Sequence, residues 1–376
     1  MTESAPIPIT VLTGFLGAGK TTVLNGLLRH PQLHNTAVIV NEFGVIGLDH
    51  LLVRAADENI VLLEAGCLCC TINTTLRETL GELWLGRVRN ELPLFDRVLV
   101  ETTGLAEPGP IMQAISRDPF VTDHYRLDGT VTCVDAVHVM AQLQVQAEVV
   151  QQIAVADRLI LTKADRVSVA DADAVEARLQ TINPAARVLR RTNGNVSPED
   201  VLDVGLINAR TGLVDPLPWL REDAYAKPTL ANNSHSHHGN YRNNDGSSHD
   251  NKHEHDSRHS DDIRAHCLRI DHPVSWAALA AWCGLIGEAH GEVLLRVKGI
   301  IGIAETGKPV VVHGVHRVFD APIRLPDWPD ADTRSRLVVI CRDLDEAYLR
   351  KTLEILRLPR GSGKPLDLAA AIAAAH

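Results

Sequence analysis

The run Gly14-Phe15-Leu16-Gly17-Ala18-Gly19-Lys20-Thr21-Thr22 leaves few folds open. It satisfies G-x-x-x-x-G-K-[ST], between an apolar segment, Ile7 to Leu12, and a helical pattern from Thr22 to Arg29 that Pro31 stops. Strand, glycine loop and helix in that order make a P-loop and commit the chain to an α/β sheet. Backbone N–H groups curl around a polyphosphate only where no side chain holds it off. Gly14, Gly17 and Gly19 provide that clearance, with Ala18 inside the same phosphate-binding run. Lys20 brings a compact cation to the β- and γ-phosphates, and the Thr21 hydroxyl is placed to ligate the Mg²⁺ that bridges them. Thr22 extends the helix N-terminus, whose dipole favours the anion.

Other apolar runs end in loops rich in chemistry. Ala37 to Val40 leads into Asn41-Glu42-Phe43-Gly44, and Ile60 to Leu63 leads into Glu64-Ala65-Gly66 and then Cys67-Leu68-Cys69-Cys70. Both read as buried parallel strands with functional loops at their C-terminal ends. Thr75 and Glu78 fit a capping box, and Leu76, Leu80, Leu83, Trp84 and Val88 recur at helical spacing, so the cysteines are expected at a strand-to-helix junction. Val98 to Val100 delivers Glu101-Thr102-Thr103-Gly104, a Walker B position occupied by Glu. Glu101 is expected to hold Mg²⁺ directly or through water, and the Gly104 amide to approach the γ-phosphate.

Strands at Gly129 to Val134, Arg158 to Leu161 and Arg187 to Leu189 alternate with helical patterns at Val137 to Ile153 and Val169 to Ile182, with a capped short helix from Ser197 to Leu202. That alternation is a doubly wound, mainly parallel sheet. After the Arg158 strand comes Thr162-Lys163-Ala164-Asp165. The Asp165 carboxylate can accept from the ring N–H and exocyclic amine of guanine, and the Lys163 stem can cover the base, so GTP is the expected nucleotide.

A length of 376 residues suggests two domains, and a net charge of −10 gives no general attraction to nucleic acid or an anionic membrane. The start, Met1-Thr2-Glu3-Ser4, lacks a secretory pattern and no apolar run reaches spanning length, so the expected address is the cytoplasm. Seven cysteines with three crowded at 67–70 argue for metal or redox chemistry over a disulfide framework. Cys133, Cys267, Cys283 and Cys341 lie singly among apolar residues and read as core.

The nucleotide domain is expected over residues 1–215, followed by a His-rich flexible linker over 216–262. His235, His237, His238, His249, His253, His255 and His259 suit weak capture of Zn, Ni, Co or Cu. Order is expected to resume over 263–358 as one small α+β layer with helices on one face, leaving a tail at 359–376. His313 and His316 are read there as structural rather than as ligands.

Taken in order, GFLGAGKTT, NEFG, GCLCC, ETTGLAEP and TKAD strongly resemble the CobW-type family of metal-related P-loop GTPases, similar in kind to UreG and HypB. The resemblance covers nearly the whole chain apart from the His-rich insert, and makes the last domain a CobW C-terminal domain. It implies a GTP-driven metallochaperone whose usual ion is zinc, serving a client metalloprotein. By the same resemblance Cys67, Cys69 and Cys70 form the transferable metal site. Two positions depart from the family: Thr162 replaces the usual Asn of NKxD, and Val45 stands where many relatives carry a further Glu.

Three thiolates leave tetrahedral Zn²⁺ one ligand short, a place that Glu42, water or a client's ligand can fill. Ligand chemistry accepts Co²⁺ and Ni²⁺ as well. Intrinsic hydrolysis is expected to be slow and to be accelerated by metal, a client or formation of a homodimer, since no residue announces itself as an arginine finger. Three rival readings share these motifs: a cobalt-handling GTPase of cobalamin biosynthesis, a non-enzymatic metal store, and a P-loop small-molecule kinase.

Overall fold

Every residue of β1 (Ile7–Thr13) is buried, as a strand covered on both faces must be, and it forms the middle of the first sheet. The computed structural model describes residues 6–40, 61–64, 68–207, 214–225 and 263–357, with side chains described outside 61–75. The chain continues through α1 (Lys20–Leu28), β2 (Thr36–Val40), β3 (Val61–Glu64), α2 (Leu68–Val88), β4 (Arg97–Glu101), α3 (Pro108–Arg117) and α4 (Pro119–His124). It then forms β5 (Tyr125–Asp135), α5 (Val139–Val145), α6 (Ala147–Ala154), β6 (Arg158–Thr162), α7 (Val169–Ile182) and β7 (Arg187–Arg190). The order across the seven strands is β3-β2-β4-β1-β5-β6-β7, and every pairing is parallel.

This order sets the site. From β1 the chain winds to one side through β2, β3 and β4, then crosses to β5 on the other side of β1. The switch point therefore lies at the C-terminal end of β1, where the loop into α1 begins, and that is where such sheets bind ligands.

Four local expectations are corrected. The capping box at Thr75 and Glu78 does not start a helix, because α2 already begins at Leu68 and no Gly or Pro interrupts it before Thr75. Val88 is 58% exposed and does not continue the buried stripe of Leu76, Leu80 and Leu83. The single helix expected over Val137 to Ile153 is two, because Gln146 takes an extended conformation between α5 and α6. The helix expected from Ser197 is a single 3₁₀ turn, Pro198–Asp200, with reciprocal Ser197–Asp200 capping. Helices α3 and α4 were not read from the sequence, although each has Pro at its start and α3 repeats Ile111, Met112 and Ile115 on its buried side.

After α8 (Pro216–Leu220), the second sheet contains β8 (Ile263–Ile270), β9 (Leu294–Gly302), β10 (Pro309–Val315), β11 (Val318–Phe319), β12 (Ile323–Arg324) and β13 (Ser335–Arg342). Its order is β11-β10-β9-β13-β8 with β12 on β10, and the pairings are antiparallel. Period two sorts its side chains. On β13, Leu337, Val339 and Cys341 enter the core shared with α9 (Trp276–His290), while α10 (Glu346–Thr352) contributes Leu349. Val338 instead packs with Trp219 and Leu220 of α8, and Ile340 joins Leu159 and Leu161 of the first sheet's domain. Helices α9 and α10 thus cover one face, while the other face packs against α8 and the nucleotide domain.

A buried ion cluster crosses that seam. Asp157 accepts from Arg296 Nη2 at 2.6 Å and Lys298 Nζ at 2.9 Å, and the three side chains are only 3–5% exposed. Burial alone would raise the Asp157 pKa, but the charges of Arg296 and Lys298 and the Thr130 N–H hold it well below the usual carboxylate range. Asp157→Ala leaves two buried cations without their carboxylate and is expected to cost about 3–5 kcal/mol in urea unfolding. Because the folded pKa is depressed, Asp157's contribution is present above the unfolded value of about 4 and is lost as pH falls below it. The wild type's advantage over Asp157→Asn should therefore narrow on the acid side of about pH 4, while an advantage independent of pH would contradict this account.

Candidate nucleotide and metal site

The loop between β1 and α1 is bound to the sheet by its own backbone. Gly14 has φ 140°, and a Cβ there would stand 2.3 Å from the Cys133 carbonyl oxygen of β5, so only glycine fits. Gly17 and Gly19 also take positive φ, and Gly19 is the residue from which α1 starts. Ala18 is buried, and its N–H bonds back to the Phe15 carbonyl at 3.0 Å. Lys20, 8% exposed, donates to Gly14 O at 2.9 Å and Phe15 O at 3.3 Å, so its ammonium lies across the mouth of its own loop.

The acid of the site arrives by sheet register. Leu12 of β1 pairs with Glu101 of β4, and the Thr102 N–H donates to Leu12 O at 3.0 Å. The Thr21 hydroxyl donates to Glu101 Oε1 at 2.7 Å, and Glu101 is 3% exposed. Two oxygen donors of the kind Mg²⁺ takes therefore stand together at the start of α1, and this donor set fits the ion. Gly104 lies against the loop itself: a Cβ would meet Leu16 N at 2.5 Å and Leu16 Cα at 2.7 Å. Thr22 is exposed on α1.

At the end of β6, Lys163 takes φ 54° and donates to Gly17 O at 2.8 Å and to Asp135 Oδ2 at 2.6 Å. Asp165 is exposed in the 3₁₀ turn Ala164–Arg166. Thr162, the departure from NKxD, places its hydroxyl 2.8 Å from Ala18 O and 3.1 Å from Val134 O, so it ties β6 to the glycine loop.

Two residues of this neighbourhood were not singled out in the sequence. Asp135, 4% exposed, ends β5 and accepts from Lys163, from His138 Nδ1 at 2.9 Å and from Val137 N at 2.9 Å. Burial opposes its ionisation, but the bonds from Lys163, His138 and Val137 prevail and hold its pKa below the usual carboxylate range. The strand-then-acid signature that marked Glu101 marks Asp135 equally well. Gln152, 1% exposed on α6, donates its amide to Gly104 O and Ala106 O, each at 3.1 Å, and so holds the loop after Glu101 from behind. It lies far along the chain from that loop, and no sequence spacing signals the pairing. Asp135→Asn should weaken GTP binding roughly tenfold through the lost charge-assisted bond to Lys163, with turnover at saturating GTP little changed. A titration with fluorescent nucleotide reads the loss, and unchanged affinity would remove Asp135 from the site.

The cysteines divide into two groups. Cys133 and Cys341 are buried, as read from the sequence, while Cys267 and Cys283 are only partly so. Burial pushes all four thiols up to about 12, where they stay protonated and are poor metal ligands. Cys69 and Cys70 fall in the first turn of α2, with side chains outside the described residues. Cys67, Glu42, Val45 and the histidines at 235–259 lie outside the described residues altogether. Among the described residues there is no group of three or more His, Cys, Asp or Glu able to hold a metal. Among them too, no helix is long and apolar enough to cross a membrane.

Residues 8–190 match the family described as CobW/HypB/UreG, nucleotide-binding domain, and residues 263–357 match the CobW C-terminal domain. The chain is 30% identical to the zinc chaperone YjiA of Escherichia coli over 94% of its own length and 99% of that protein's. It is 32% identical to the zinc chaperone CobW of Pseudomonas aeruginosa, covering 94% of this chain and 92% of that one. Similarity to the zinc-regulated GTPase metalloprotein activator 1 of Schizosaccharomyces pombe is 29%, over 90% and 83%. The crystal structure of the zinc-bound YjiA GTPase superposes with a TM-score of 0.64 at 26% identity, covering 94% of this chain and all of that one.

Proposed function

Since this chain belongs to the CobW family of P-loop GTPases, pairing its nucleotide-binding domain with its C-terminal domain, we propose that it is a GTP-hydrolysing zinc metallochaperone. The observation that carries the reading is the Thr21–Glu101 bond at 2.7 Å beside a loop whose lysine already lies over the phosphate position. Lys20 and the loop amides bind the phosphates, Thr21 and Glu101 hold Mg²⁺, and Asp165 reads the guanine edge beside Lys163. Mg²⁺ held by Thr21 and Glu101 would supply positive charge against the negative charge that develops on the phosphates.

Zinc is cargo in this scheme. The helix bearing Cys69 and Cys70 starts at Leu68, just past β3, which is separated from β4 and Glu101 only by β2. Cysteine-bearing and nucleotide-bearing segments thus leave one edge of one sheet. GTP ordering the NEFG and ETTG loops then changes the geometry of thiolates at 67, 69 and 70, with Glu42 or a client's side chain as the fourth ligand. A client metalloprotein receives the ion, and the cytoplasm, where thiols stay reduced, suits such chemistry.

The metal assignment is tested by the Cys67/Cys69/Cys70→Ser variant with the histidine-rich 235–259 tract deleted from both proteins. The variant should lose high-affinity zinc binding by at least 100-fold, since zinc sites of this kind owe their affinity to thiolates, while it binds GTP as before. Retained zinc affinity would move the cargo site elsewhere.

A further inference from the structure

The C-terminal domain reaches the nucleotide domain at one place that bears on the chemistry. The β10–β11 hairpin closes through His316 and Arg317, after Val315 pairs with Val318. His316 has φ 54°, a left-handed conformation uncommon outside glycine that asparagine, aspartate and histidine take more often than other residues. Its ring lies on Gly109, the second residue of α3: a Cβ at Gly109 would stand 2.7 Å from His316 Cδ2 and 3.4 Å from Val315 Cγ1. Met112 of α3, Val155 and Val315 pack as a small core beside it. The hairpin is equally tight on its other side. A Cβ at Gly291 would meet Arg317 Cβ at 2.4 Å, and one at Gly287 would meet Arg317 O at 2.8 Å, so α9 backs the turn.

Helix α3 is the direct continuation of the loop after Glu101. From Glu101 to Pro108 there are only Thr102-Thr103-Gly104-Leu105-Ala106-Glu107. Gly104 touches Leu16 of the phosphate loop, and Gln152 clamps the Gly104 and Ala106 carbonyls from behind. Burial holds the His316 imidazole below its ordinary pKa, and Glu107, the N-cap of α3, opposes that shift. Leu16 thus meets Gly104, Gln152 holds Gly104 and Ala106, and three residues further along the chain Gly109 meets His316, in the turn that α9 backs.

We propose that His316 is a positioning residue, through which the C-terminal domain sets the loop following Glu101 and responds to the nucleotide bound beside it. This rests on the nucleotide reading of the P-loop and goes beyond it, since it assigns the C-terminal domain a part in the switch. A displacement of Gly104 by a γ-phosphate has no slack to dissipate in, because backbone meets backbone at Leu16 and ring meets backbone at Gly109. Packed contacts of this kind pass on movement instead of absorbing it.

The test is hydrogen exchange on the full chain without nucleotide, with GDP–Mg²⁺ and with a non-hydrolysable GTP analogue–Mg²⁺. It compares wild type with His316→Asn, which keeps the left-handed turn and removes the ring. In the wild type, exchange at residues 14–22 and at 314–319 should both differ between the GDP and analogue states, by at least fivefold. In His316→Asn the difference at 14–22 should remain and that at 314–319 should vanish, with turnover lowered and KM for GTP unchanged. Gly109→Ala supplies a second arm: alone it pushes on the ring and disturbs turnover, and combined with His316→Asn it should do so less. A hairpin indifferent to nucleotide while 14–22 responds would overturn the proposal, as would additive effects in the double variant. No response at 14–22 would instead sink the nucleotide reading on which it rests.

Discussion

Lys20→Ala is expected to slow GTP turnover by about two to three orders of magnitude, the loss that follows removal of a preorganised charge from the reacting group. The ammonium is pre-positioned by Gly14 O and Phe15 O, so no rearrangement is needed when phosphate arrives. Burial to 8% exposure strengthens its field, because little water competes for it. Lys20→Arg should rescue poorly, since a planar fork cannot reproduce a compact ammonium inside a closed loop. Single-turnover hydrolysis measures the loss, and far-UV circular dichroism checks that α1 persists. A rate within about threefold of wild type would be far too small for the assigned role.

Gly14→Ala should be nearly as damaging for a different reason. Its Cβ would stand 2.3 Å from a backbone oxygen of β5, at a φ of 140° that alanine rarely takes. The obstacle is the central sheet and cannot move, so the loop must shift by roughly an ångström, enough to cost about 100-fold in nucleotide binding and turnover. Gly284→Ala is the matching control. That glycine lies in α9 with nothing within 4 Å of its Cβ, and the change should stabilise the chain by about 0.5–1 kcal/mol. Isothermal titration with GTP separates the two substitutions, and equal behaviour would remove the steric reason for glycine at position 14.

What could be read from the sequence depended on how local the signal was. The P-loop, Glu101 and the Lys163 segment were legible because each sits where an apolar strand ends, and a parallel sheet brings all strand ends to one edge. The CobW-type resemblance rested on those motifs together with NEFG and GCLCC, and the family matches over 8–190 and 263–357 bear it out in both domains. Contacts between distant segments carried no such mark. Gln152 reaches Gly104 across 48 residues and Arg296 reaches Asp157 across 139, and neither pair has a spacing that periodicity can reveal. His316 was read as structural from its isolation in a strand pattern, and its ring does pack as a structural group does. That the group it packs against is α3 could be learned only from the fold.

Local errors had local causes. The capping box at Thr75 satisfied the pattern but competed with a longer helix already under way from Leu68. The break at Gln146 had no Gly or Pro to announce it, and Ala147 to Ala154 simply restarts on the register of Val150 and Ile153. Thr162 was flagged only as a departure. Its hydroxyl on Ala18 O shows why a small hydrogen-bonding residue suffices to tie the loop to β6 there.

The central claim is that nucleotide and zinc are bound by one coupled device, and linkage makes that directly measurable. The measurement is zinc affinity by chelator competition in the apo, GDP and GTP-analogue states, on protein lacking the 235–259 tract. The account predicts an affinity that changes at least fivefold between the GDP and analogue states, with GTP-analogue affinity changed by the same factor when zinc is bound. Identical zinc affinity in all three states would contradict it, leaving a GTPase and a metal site that share a chain without sharing a mechanism.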